Sequence, residues 1–128
     1  MTDTKELKSW IEHAEDDFSA AKALLQLKKP LISGSCFHAQ QSAEKYLKAL
    51  LLFKGLDFPK THDLPTLNTL CNKAGIITGF DLQNLVDLTE YAVIRRYPGS
   101  QPILNEAKEA IKISSEIRKF ARKFLGLK

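Results

Sequence analysis

From Leu7 onward apolar residues recur at steps of three and four, at Leu7, Trp10, Ile11, Ala14, Phe18, Ala21 and Leu25. Only a helix turns that spacing to one side of the chain. The pattern predicts a helix from about Thr4 to Leu27, stopped by Lys28-Lys29-Pro30, with Glu12, Glu15 and Asp16 off the stripe. A second helix is expected from about Leu31 to Lys54 on the stripe Cys36, Gln40, Ala43, Leu47, Leu50 and Leu51, with Gly55 as a left-handed exit. A short one should run from Leu64 or Pro65 to Ala74, a fourth from Asp81 to Ile94, and the last from Ile103 to Leu125, ended by Gly126. No useful stretch alternates with period two. Sheet architectures are therefore excluded, and the expectation is an all-α, antiparallel up-and-down four-helix bundle with one additional short helix.

At 128 residues the chain is expected to form a single helical domain, 1–128, around one core. Its longest apolar run, Ala49 to Phe53, is far short of the ~20 residues a membrane span needs. The amino end lacks the basic-then-apolar layout of a secretion signal, so the expected compartment is the cytoplasm. Cys36 and Cys71 fit no metal spacing and would stay unpaired thiols, Cys36 as a small core residue; no metal site and no cofactor is implied. Charge alternates along the chain. Residues 1–27 hold six acids against three cations, 28–62 two against six, 63–94 four against one, and 95–128 three against nine. Basic segments could gather into an anion-attracting field, or the four blocks could balance one another within the bundle.

Arg95-Arg96-Tyr97-Pro98-Gly99 combines two of only four arginines with a helix stop. Arg95 and Arg96 can grip phosphate bidentately, and equally they can offset a helix dipole and cap carbonyls. A helical wheel places His38, Gln41, Lys45 and Lys48 about opposite the core stripe of the second helix. That face could contact an anion or simply be solvated, with Glu44 and Lys48 as an ordinary helical ion pair. Gln40 falls inside the apolar stripe, where its amide must act as an inter-helix tether or belong to a polar site. In Lys60-Thr61-His62-Asp63-Leu64, Asp63 either caps the short helix or orients His62. No glycine-rich phosphate loop and no framed nucleophilic serine occurs.

Taken together, Trp10 to Ala21 (WIEHAEDDFSAA), Phe37 to Leu50 (FHAQQSAEKYLKAL), Thr61 to Leu64 (THDL) and Tyr91 to Pro98 (YAVIRRYP) resemble the HEPN domain family over nearly the whole chain. The resemblance implies an up-and-down bundle that pairs into a homodimer with a polar cleft near its interface. It also implies binding of a nucleotide or RNA and a minimal nucleotidyltransferase partner in a toxin–antitoxin-like pair. Many members are metal-independent RNases carrying an Arg followed after four to six residues by a His. Here every His (13, 38, 62) precedes every Arg (95, 96, 118, 122), so that signature is absent and nuclease activity is not transferred. The expected phosphate-binding set is Arg95, Arg96 and Tyr97, with Tyr97 stacking on a base or positioning Arg96, completed by His62 and Lys45. Two alternatives stand beside it. One is a protein–protein interaction module whose arginines pair with Asp87, Glu90 or the acids of the first helix; the other is an RNase that joins His62 to Arg95 or Arg96 across the bundle or dimer.

Overall fold

The computed structural model describes residues 4–93 and 101–128. In chain order these form α1 (Thr4–Gln26), α2 (Ile32–Phe53), α3 (Leu64–Lys73), α4 (Leu82–Thr89) with one 3-10 turn (Glu90–Ala92) behind it, and α5 (Leu104–Phe124). No strand occurs among the described residues. The fold is the helical bundle that the apolar periodicity requires.

α2 occupies the centre. Cys36, Ala39, Ala43, Tyr46, Leu47, Ala49, Leu50 and Leu51 are all fully buried, more than one face of a helix can hold, because α1, α3 and α5 surround it. Small residues set the approach. Ala14 and Ala21 of α1 are fully buried, and the hydroxyl of Ser35 donates to the Ala21 carbonyl at 2.6 Å. On the other side Ser114 of α5 donates to the Ala39 carbonyl at 2.7 Å. A short side chain that satisfies its own hydroxyl on the facing backbone lets two helices close up without leaving a buried polar atom unpaired.

Cross-contacts give the directions. Ser35 meets Ala21, and Lys45 and Tyr46 meet Asp17 and Glu15, so α1 and α2 run antiparallel. Ser114 meets Ala39 and Phe124 meets Phe53, so α5 runs parallel to α2. Between them the chain doubles back. Gly55, at φ 72°, closes α2, its N–H reaching Leu52 O while that of Leu56 reaches Leu51 O. This paired exit needs the left-handed backbone that glycine adopts without strain. Residues 54–63 then return along α2 and bring His62 beside Gln40 and Glu44.

Asp63 settles as the cap of α3, its carboxylate accepting from the Thr66 N–H at 3.0 Å, and Asp81 caps α4 by accepting from the Asn84 N–H at 2.9 Å. Helix ends follow the sequence reading within one or two residues, except at α4, where α-helix gives way at Thr89. There the Thr89 hydroxyl donates to Leu85 O at 2.7 Å and accepts from the Leu64 N–H at 3.1 Å, tying the end of α4 to the start of α3. Threonine that bonds back onto its own helix competes with continuing it.

Candidate functional site

The polar chemistry of the described residues gathers on the seam where α1 and the returning linker cover α2. Two buried carboxylates organise it. Asp17 of α1 holds His38 Nδ1 at 2.8 Å with one oxygen and Lys45 Nζ at 2.5 Å with the other. His38 and Lys45 stand two turns apart on α2, so a single carboxylate spans both. Glu44 holds His62 Nδ1 at 2.8 Å and Lys48 Nζ at 3.0 Å. Gln40, fully buried, donates its amide to Glu44 at 3.2 Å and to the His62 carbonyl at 3.0 Å, and accepts from Gln41 at 2.7 Å. Its role is the tether: it pins the returning linker to α2.

Lys48 is 7% exposed and Glu44 4%. The expectation that the polar face of the second helix lies opposite the core is corrected here. A wheel knows only the helix itself, and this face is roofed by Trp10 of α1 and Phe58 of the linker. Their rings meet edge to face at 5.5 Å, and both lie close to the Lys48 ammonium, at 5.8 and 5.5 Å. The buried charge is thereby compensated by a carboxylate and two ring faces. Beside this roof, Glu6, Ser9, Trp10, His13 and Lys45 line an open concavity of about 310 Å³.

Both imidazoles share one chemical arrangement. With Nδ1–H spent on a carboxylate, Nε2 is left as an acceptor when the ring is neutral and as a donor to anions when it is protonated. His62 is the more accessible, its side chain 62% exposed against 34% for His38. Of the residues expected from sequence, His62 and Lys45 both reach the seam, but on different carboxylates. Arg95, Arg96 and Tyr97 lie outside the described residues, as does their pairing with Asp87 or Glu90. Asp17 and Glu44 are not in the set expected from sequence, although Asp17 sits three residues after Ala14 and four before Ala21, on the buried stripe. An acid in that register is a legible signal of a charge needing a partner.

A second polar cluster fastens α1 to α5. Arg118 donates to both oxygens of Glu15, at 2.6 and 2.8 Å, the fully buried Tyr46 donates its hydroxyl to the same carboxylate, and Arg122 lies 3.7 Å away. Arg118 chiefly, with Tyr46 and Arg122, holds the Glu15 carboxyl below the usual range against the opposing effect of burial. Burial and the Glu15 carboxylate push the Tyr46 phenol up to about 12. Both of these arginines are thus consumed in holding the bundle together. Among the described residues no group of three or more His, Cys, Asp or Glu is placed to hold a metal ion.

These features define an all-helical bundle whose central helix carries a polar, imidazole-bearing seam. The chain belongs to the HEPN domain family, whose model matches residues 7–124. Its fold is similar to that of ST0689, an archaeal HEPN homologue, at 22% identity over 93% of this chain and 97% of that one, with a TM-score of 0.68. It is also similar to TT1696 from Thermus thermophilus, at 26% identity over 91% and 96% of the two chains, with a TM-score of 0.69. No match was found among curated proteins. Among the described residues no helix is long and apolar enough to cross a membrane.

Proposed function

We propose that this HEPN protein is a cytoplasmic helical module that binds a nucleotide or an RNA phosphate. In this reading it pairs into a homodimer and acts with a minimal nucleotidyltransferase partner in a toxin–antitoxin-like pair. One observation carries the ligand reading: His62, the more exposed of the two seam imidazoles, has its Nδ1 held at 2.8 Å by the buried Glu44. The contact helps hold the linker on α2, and it also leaves a fixed ring with a committed Nε2, which suits meeting an anion. Arg95 and Arg96 supply the bidentate phosphate grip and Tyr97 the stacking surface, while Lys45, balanced by Asp17, lines the adjoining concavity.

Labelled ATP, GTP and a short RNA, titrated against wild type, His62→Ala and an Arg95→Ala/Arg96→Ala double variant, test this. Wild type should bind at least one of the three, with a loss of about tenfold in the His62 variant and a larger loss in the double variant. Equal affinity in all three proteins, or no binding by any, overturns the site. The same Glu44–His62 pair also favours a second reading, an RNase with a non-standard Arg/His site, because a carboxylate-held imidazole is what a general base requires. RNA cleavage by wild type that disappears in His62→Ala supports it, and absence of cleavage by wild type removes it.

A further inference from the structure

The last turns of α2 and α5 repeat one pattern. Phe53-Lys54-Gly55-Leu56 and Phe124-Leu125-Gly126-Leu127 both read Phe-x-Gly-Leu. Each closes through a left-handed glycine, at φ 72° and 75°, and the backbone bonds match. The N–H of Gly55 reaches Leu52 O and that of Leu56 reaches Leu51 O, while the N–H of Gly126 reaches Lys123 O and that of Leu127 reaches Arg122 O. A leucine after such an exit commonly folds back onto its own helix. Here Phe53, Leu56, Phe124 and Leu127 all stay between 38% and 43% exposed. Because α2 and α5 run parallel, the two ends arrive together, and the Phe53 and Phe124 rings meet edge to face at 6.0 Å. None of the four side chains lines the seam concavity or the concavities of about 600 and 220 Å³ beside α5.

Charge at these ends is mostly of one sign. Residues 53–57 and 123–128 hold Lys54, Lys123 and Lys128 against the single acid Asp57. Lys54 and Lys123 are exposed, and among the described residues no carboxylate pairs with either. The mixture of exposed rings, leucines and lysines selects among occupants. Protein interfaces deplete lysine at their cores and seat aromatic anchors in pockets. A second copy docked symmetrically here would bring the same lysines against one another. A soluble polyanion would use the lysines and gain nothing from the leucines. A nucleic-acid base needs an open ring face, whereas Phe124 already has Phe120 stacked at 15° and the Lys54 ammonium 6.0 Å from its centroid. An anionic bilayer surface uses every part. Phe and Leu enter the boundary between headgroups and acyl chains, while lysines lay their stems on apolar surface and keep their ammoniums among the headgroups.

We propose that the paired Phe-x-Gly-Leu ends of α2 and α5 dock the protein peripherally on an anionic lipid surface. This goes beyond the nucleotide reading and does not rest on it. Co-sedimentation with vesicles tests it, using phosphatidylcholine alone and an equal mixture of phosphatidylcholine and phosphatidylserine. Wild type is compared with Leu56→Ser/Leu127→Ser, which spares the ring contacts, and with Lys54→Gln/Lys123→Gln. The control, Lys108→Gln/Lys112→Gln, removes the same charge nearer the start of α5. Wild type should bind the mixed vesicles at least about tenfold more tightly than phosphatidylcholine. Each lysine at the surface contributes about fivefold, so the lysine variant should lose about 25-fold. The leucine variant should lose about tenfold, and the control should stay within about threefold because its charges lie beyond screening distance. If the leucine variant melts early, the lysine variant, changed only at exposed side chains, still decides. No binding by wild type, equal binding to both vesicles, or a loss in the control equal to that in the lysine variant overturns the proposal. So does tighter binding to polyglutamate or oligo-U than to the mixed vesicles, displacement by free phosphoserine at matched ionic strength, or a lipid-free dimer that the leucine variant dissociates. ATP affinity should stay at the wild-type value in both variants, so failure here leaves the seam reading standing.

Discussion

At Glu15 one carboxylate serves three elements at once, receiving Arg118 of α5 in a bidentate grip and the hydroxyl of Tyr46 from α2 while standing on α1. Its folded-state carboxyl titrates below the ordinary range. The stability it contributes is therefore complete above the unfolded carboxylate pKa and is lost as pH falls through the lowered folded value. Glu15→Gln should destabilise the protein at neutral pH by on the order of 1–2 kcal/mol, reduced from a fully buried pair because the carboxylate is partly solvated. Urea denaturation at stepped pH should show the two proteins converging on acidification. Curves that stay parallel throughout acidification would mean the contact carries no charge-dependent stability.

At the scale of the element, α2 buries an ion pair beside its apolar stripe, under the rings of Trp10 and Phe58. Glu44 answers Lys48, His62 and the Gln40 amide together, so its removal strands the buried Lys48 charge and takes one partner each from His62 and Gln40. Glu44→Leu should cost about 3–5 kcal/mol, whereas Glu44→Leu combined with Lys48→Met should recover most of that loss, since an apolar pair needs no compensation. Urea melts of the single and double variants decide it. A double variant as unstable as the single would show that the ion pair is not the reason the seam holds. The same packing anchors the linker that carries His62 on α2, Gln40 holding its carbonyl and Glu44 its imidazole.

For the whole molecule, the two thiols report how completely the bundle closes. Cys36 and Cys71 are fully buried, and burial pushes the first up to about 11 and the second to about 12. Thiolate, the reactive form, is scarce and shielded in the native state. Ellman's reagent should therefore label neither thiol at a rate faster than global unfolding near the ordinary thiol pKa of about 8.5, and should label both promptly in denaturant. Fast labelling of one thiol under native conditions would reveal a local opening around α2 or α3.

Periodicity alone dictated the helices, because a repeat of three and four has one folded solution, and the caps at Asp63 and Asp81 and the exit at Gly55 follow from local backbone chemistry that needs no distant partner. Even the polar anomaly at Gln40 was visible as an amide on an apolar stripe. Which carboxylate meets which imidazole was decided only in three dimensions. Asp17 finds His38 and Lys45, and Glu44 finds His62 across a linker that folds back, because those pairings depend on how helices face one another rather than on spacing along the chain. Burial of Lys48 has the same origin: a helix carries the pattern of its own faces, but how many neighbours cover them is a property of the assembled bundle.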